Sequence, residues 1–356
     1  MLVMPATTLQ PRQRAATPTT RKAPMSPHLS RRRFIGVTAA AAGLSLMPFA
    51  HGARAEAHLV TWRGQAMGAV ATLQVHHHDR TVAERLVERS LAEVRRLEAV
   101  FSLYREDSTL STLNRQGFLV APPVEFVELL SECRRCWELT GGAFDPTVQA
   151  LWALYWDHFS SPDADPQGPS ASAVEAALER VGFDQVRFDV NRIALPRRGM
   201  GLTLNGIAQG YVTDRVVDIL RAGGIESSLV DMGEPRAIGP RPSGEPWRIG
   251  VADPDRPEQV RDTVHAIDQA VATSGSYGFR FDSEGRFNHL LDPRTGTSAH
   301  RYRSVTTIMP TAAAADALST AFSLLPPEDI RQAVQRLGKG RVHLLTASGE
   351  TTILHA

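Results

Sequence analysis

Near the C-terminal end of the sequence, the segment TAAAADALSTAFSLL (311–325) places Asp316 and Thr320 four residues apart. At the helical repeat that spacing projects both side chains from one face. A carboxylate and a hydroxyl are hard oxygen donors, the kind that suits Mg²⁺ or Ca²⁺. Such a pair alone more often makes a local hydrogen bond or faces water. Here Ala315, Ala317, Leu318 and Ala321 make the helix apolar nearly all round, which predicts burial, and a buried Asp must be paired or coordinate a cation.

Three further segments have the composition of ligand loops: GGAFDPT (141–147), TSGSYG (273–278) and HLLDPRTG (289–296). Glycine lets a backbone approach a ligand closely and proline fixes a turn, although each such segment alone is more often just a turn. Other signals are missing. No G-x-x-x-x-G-K-[ST] and no G-x-G-x-x-G after a strand occurs, which removes the Walker and Rossmann phosphate loops, and neither H-E-x-x-H nor G-x-S-x-G is present. His76, His77 and His78 are consecutive, so they cannot all face one metal, and they read as a solvated turn beside Asp79. Cys133 and Cys136 are the only cysteines. Their C-x-x-C spacing falls in the middle of a helical pattern, where disulfide geometry is poor, so they read as buried thiols rather than a redox pair.

The elements that must position these residues follow from periodicity. Val82, Leu86, Leu91, Val94, Leu97 and Phe101 give a helix over 81–101, and 124–139 and 174–181 give two more. A helix is read over 206–222, stopped by Gly223 and Gly224, and another over 311–325, stopped by Pro326 and Pro327, with a short helix after it. Strands are read at 69–75, 227–232, 247–251, 270–273 and 303–309. Hairpins are read for 186–190 with 193–195 and for 342–346 with 351–354. Residues 160–172, with three prolines, read as an exposed excursion. Helices scattered among hairpin strands predict an α+β class, with mixed or antiparallel sheets flanked by helices.

The chain has 356 residues, 42% of them hydrophobic and 22% charged, with 39 Lys and Arg against 38 Asp and Glu. Residues 1–55 hold eight of the bases and no acid, leaving 31 bases against 38 acids in the remainder. An acidic body lacks the basic face that nucleic acid requires. Residues 30–36, SRRRFIG, precede a mildly apolar stretch over 34–50, and Ala53-Arg54-Ala55 supplies a small-x-small site. This resembles a twin-arginine export signal, so 1–55 is read as a cleaved extension, 56–356 as the mature domain starting near Glu56, and the address as periplasmic. Met25 is an alternative start to Met1. The apolar run is short and contains Pro48, and no Cys follows it, so no permanent membrane anchor is expected.

Taken together and in order, MGAVATLQV, FSLYREDSTLSTLNR, GGAFDPTVQALWALY, LNGIAQGYVTD, LVDMGE, AVATSGSYGFRF, HLLDPRTG and ADALSTAF resemble the ApbE family, the FAD:protein FMN transferases. The resemblance runs from about Trp62 to Leu325. It implies an ApbE-like flavin-transferase fold and a reaction in which a protein Thr hydroxyl attacks the FMN-side phosphorus of FAD, releasing AMP and leaving a phosphoester-linked FMN. By motif, it implies Mg²⁺ on the Gly206 carbonyl, Asp316 and Thr320. It implies FAD on Met67, Tyr104, Ala143, Phe144, Asp145, Thr203, Gln209 and His289, with His289 also carrying catalysis. Tyr104 and Phe144 would offer stacking faces.

The sequence departs from the family pattern where many members carry Asp and Lys: Thr203 lacks the carboxylate and Gln209 the positive charge. LVDMGE replaces a more usual double-glycine version. NGIAQGY resembles the branch associated with maturation of nitrous oxide reductase, whose acceptor is a membrane flavoprotein with a periplasmic domain. Acceptors of the family present Thr in a Ser/Thr-Gly-Ala-Thr type loop. Two rival functions stand beside transfer: a metal-dependent FAD pyrophosphatase yielding FMN and AMP, and a non-catalytic periplasmic FAD carrier, which would not require the Asp316 and Thr320 pair.

Overall fold

A computed structural model describes residues 58–256 and 258–356 of the chain. The export segment expected over 1–55, its twin arginines and the start near Glu56 lie outside the described residues. Strands β1 (His58–Ala66) and β2 (Ala69–His77) form a hairpin in which β2 buries every second residue. Asp79 then caps α1 (Arg80–Phe101), its carboxylate accepting from the Thr81 and Val82 amides, so the three histidines lead into a helix start. Helix α2 (Thr109–Gln116) is capped by Ser108 and closed by Gly117 in the left-handed region, followed by β3 (Phe118–Val120) and α3 (Val124–Leu139). Cys133 and Cys136 are buried free thiols on α3, and burial pushes both up in pKa.

A short 3₁₀ turn at Pro146–Val148 leads into α4 (Gln149–Phe159), and α5 (Ala171–Leu178) lies three residues earlier than the helix read over 174–181, because the Ser170 hydroxyl caps it by accepting from the Ala173 amide inside the expected excursion. Strands β4 (Arg187–Phe188) and β5 (Arg192–Ala194) pair as expected, but β4 is shorter and β5 starts one residue early, because the Asp189 carboxylate accepts from the Asn191 and Arg192 amides and turns the chain early. The helix read from 206 begins two residues later, as α6 (Ala208–Ala222), so Gly206 stays in the preceding turn. It stops at Gly223, and Gly224 takes the left-handed conformation. Strands β6 (Ser227–Asp231), β7 (Pro235–Ile238), β8 (Trp247–Ala252), β9 (Val260–Ala266), β10 (Ala270–Ser274) and β11 (Tyr302–Met309) come next. Helices α7 (Ala312–Phe322) and α8 (Pro327–Leu337) and the hairpin β12 (Arg341–Thr346) with β13 (Thr351–His355) complete the chain.

Eight strands form one sheet in the order β1-β2-β6-β7-β10-β11-β12-β13, with every pairing antiparallel. Smaller sheets are β3-β5-β4 and β8-β9. The largest core cluster draws on α1, α3, α6, α7 and the central strands. Helices α6 and α7 approach so closely that a Cβ added to Gly210 would lie 2.3 Å from the Ala312 carbonyl oxygen. Beside that contact the buried Asp214 accepts from the Ala312 and Ala313 amides, capping α7 at 2.8 and 2.9 Å, and pairs with the buried Arg236.

Candidate active site

Helix α7 is buried on nearly every side, and Asp316, 5% exposed, is carried in with it. Among the described residues the one hydrogen bond to its carboxylate comes from the Gly210 amide in the first turn of α6, at 3.2 Å. That bond favours the carboxylate, but burial outweighs it and lifts the pKa to about 7. One turn on, Thr320 faces Gly206, where an added Cβ would come within 3.0 Å of Thr320 Oγ1. A side chain at 206 would crowd the hydroxyl, so glycine lets that turn of backbone lie close to it. Ser274, at the end of β10, adds a third oxygen, 3.5 Å from Thr320 Oγ1 and 2.7 Å from Ser319 Oγ.

These donors line a cavity of about 520 Å³. Asp316, Thr320, Gly206, Thr203, Gln209, Met67, Tyr104 and His289 all line it, although they span much of the sequence. Met67 and Gly68 form the two-residue turn of the β1-β2 hairpin, both at positive φ, 51° and 81°. A two-residue hairpin turn of this kind demands that conformation, and for Met67 it carries strain. Tyr104, beyond the end of α1, accepts a hydrogen bond from Asn205 Nδ2 at 3.2 Å, and burial raises its hydroxyl to about 12. The Gln209 side chain packs against Gly233, where a Cβ would meet it at 2.7 Å.

His289 is half-buried in the cavity wall. Its Nδ1 lies 3.1 Å from the Phe279 carbonyl oxygen. A carbonyl only accepts, so Nδ1 carries the proton and Nε2 keeps its lone pair. Desolvation lowers the imidazole pKa, with the Phe279 carbonyl opposing it, which favours the neutral base.

Ala143, Phe144 and Asp145 are not among the residues lining the cavity. Ala143 and Phe144 are 2% and 5% exposed and belong to the main core, so the Phe144 ring offers no open stacking face. The Asp145 carboxylate is spent on the chain itself, accepting from the Thr147 amide and hydroxyl and from the Phe183 amide at 3.0 Å. It ties the GGAFDPT loop to the turn at 183. Trp152, Asn205, Glu234 and Phe279 line the cavity without having been singled out in the sequence. Trp152 and Phe279 fall inside two of the motifs that carry the resemblance, but nothing in the spacing of either residue marks it as facing the cavity, and only its place on the wall sets it apart.

The oxygen donors fit a hard divalent cation. A buried carboxylate with a raised pKa gains from a positive partner, and the Thr320 and Ser274 hydroxyls and the Gly206 turn line the same cavity. Among the described residues no group of three or more His, Cys, Asp and Glu is placed to hold a metal. One carboxylate is nonetheless an adequate protein contribution for Mg²⁺, which keeps waters and takes substrate phosphate oxygens for the rest of its shell.

The model of the ApbE family matches residues 67–344. The chain belongs to the ApbE family. Among its relatives, a FAD:protein FMN transferase of Klebsiella pneumoniae (strain 342) is 31% identical over 298 residues, covering 81% of this chain and 84% of that protein. Another from Treponema pallidum (strain Nichols) is 33% identical over 252 residues, 64% of this chain and 68% of that protein. An ApbE protein structure from Thermotoga maritima superposes with a TM-score of 0.72 at 31% identity, covering 83% of this chain and 97% of that one. The apo flavinyl transferase ApbE of Pseudomonas stutzeri gives 0.70 at 29% identity, covering 84% and 96%. The antiparallel α+β architecture is therefore the ApbE fold.

Proposed function

We propose that this chain is a FAD:protein FMN transferase that uses Mg²⁺ and joins FMN to a threonine of an acceptor protein. The observation that carries the reading is the junction of two parts in one cavity: a buried carboxylate with hydroxyl oxygens at Asp316, Thr320 and Ser274, and an imidazole whose Nε2 is free to take a proton. The acceptor Thr oxygen attacks the FMN-side phosphorus of FAD, the bond from that phosphorus to the bridging oxygen breaks, and AMP leaves. The Thr proton passes to His289 Nε2. Phe279 fixes the tautomer that makes this possible, and the core packing of α7 fixes where Asp316 stands. Bound through Asp316, Thr320 and the Gly206 carbonyl, Mg²⁺ would supply neutralisation of pyrophosphate charge, the main demand of phosphoryl chemistry.

The exported, periplasmic setting and the twin-arginine route rest on SRRRFIG and the small-x-small site. An acceptor of the nitrous oxide reductase maturation system rests on NGIAQGY. Among the described residues no helix is long and apolar enough to cross a membrane. The test is to incubate the purified chain with FAD, Mg²⁺ and an acceptor carrying a Ser/Thr-Gly-Ala-Thr loop, denature it, and read flavin fluorescence in the gel. A fluorescent acceptor band that disappears with EDTA is expected. AMP and free FMN with no band would make the chain a pyrophosphatase, and FAD bound but intact would make it a carrier.

A further inference from the structure

Part of the cavity wall is aromatic in a way the reaction above does not use. Trp152 on α4 lies flat on Trp156, one turn along, with ring centroids 5.3 Å apart and planes within 7°. Phe279 leans on both rings, at 6.2 and 6.1 Å, and Phe281 meets Phe279 edge-on at 5.3 Å. Trp152 and Phe279 line the cavity together with His289. Both rings are only half-buried. Their neighbour Tyr155 shows what a purely structural member of this cluster does: it packs on Phe281 and Phe287 and is 3% exposed.

We infer that Trp152 and Phe279 form a stacking subsite for one of the two planar rings of FAD. The inference rests on the transferase reading. Heteroaromatic rings stack on indole and phenyl faces at offsets of a few ångströms, and both isoalloxazine and adenine have such a face. Trp156 covers one face of Trp152 and Phe279 braces its flank, so the indole is held in place before ligand arrives and loses little further freedom on binding. Phe279 also accepts from the His289 ring and backbone, so a ring seated here would lie beside the imidazole that takes the proton. Tyr104 lines the cavity from another element, giving FAD, with a ring on each side of its pyrophosphate, two separate aromatic contacts.

FMN and AMP carry the two rings separately and identify which one binds. Calorimetric titration of each into unaltered protein, Trp152→Ala and Trp152→Phe should show one fragment losing about fivefold to a hundredfold in affinity in the Ala variant. Affinity for that fragment should return to within about threefold in the Phe variant, as expected when a ring is what matters, while the other fragment is unaffected. The same fragment should quench a larger share of tryptophan emission in the unaltered protein than in Trp152→Phe, where Trp156 and the other three tryptophans remain. Unchanged affinity for both fragments overturns the subsite. If Trp152→Ala does not fold, Phe279→Leu and the quenching comparison decide. Protein that transfers FMN with neither affinity altered sinks the subsite alone; protein that fails to transfer but loses a fragment with Trp152 sinks the transferase reading alone.

Discussion

A carboxylic acid held near pH 7 by burial gains more from a cation than an exposed one does, and Asp316 is in that position. Asp316→Ala removes the one carboxylate of the donor set. It should abolish metal-dependent transfer, a loss of several kcal/mol in the transition state, while circular dichroism stays native; AMP release that keeps its Mg²⁺ dependence would refute the assignment. His289→Ala should lower transfer by about a hundredfold or more with little change in Tm, as for a lost general base. Since burial lowers the His289 pKa from 6.5, the neutral base persists to lower pH, and the acidic limb of kcat/KM should fall below that value. Asp231, buried, has its carboxyl raised to about 6 with only the Gly233 amide in opposition. The native state then holds a proton that the unfolded chain releases from about pH 4 upward, so stability drops as pH rises through 6. Asp231→Asn should flatten that drop and stabilise the protein at pH 8 by up to about 3 kcal/mol, measured as Tm against pH.

At the scale of elements, the site depends on how α6 meets α7. Gly210 permits the crossing and its amide is the hydrogen-bond partner of Asp316. Gly210→Ala must push the Ala312 backbone away, and should cost about 1–3 kcal/mol or more in stability and reduce transfer together with it. Asp214 holds the same junction by capping α7 and neutralising Arg236. The two losses in Gly210→Ala would be read by thermal unfolding in parallel with in-gel flavin fluorescence.

Across the whole molecule, the cavity gathers the β1-β2 turn, the segment after α1, helix α4, residues 203–209, the 273–279 loop, His289 and α7. An enclosure built from so many segments can shield FAD from water until an acceptor loop enters, because adventitious hydrolysis would discard the cofactor. Supplying acceptor should therefore accelerate AMP release strongly, and changing its target Thr to Ala should remove both the acceleration and the covalent flavin. Equal AMP formation without acceptor would favour the pyrophosphatase.

Much of this protein is legible in local sequence. The 3.6-residue repeat fixes α1 and α3 nearly to the residue, and the all-apolar surround of Asp316 already places it in the interior. The motif order carries the family and the cavity-lining positions from Met67 to Thr320. These are short-range properties: periodicity, turn chemistry and the cost of burying charge act within a few residues. Other features depend on long-range packing. Strands β1, β7 and β9 and helix α4 lack decisive patterns of their own and form because neighbours cover them. A buried ring in Phe144, an Asp145 occupied by the turn at 183, a fixed His289 tautomer and an aromatic wall at Trp152 and Phe279 each depend on which distant segment lies alongside. Sequence specifies which side chains must leave water; only the packed structure decides whether each then faces the core or the cavity.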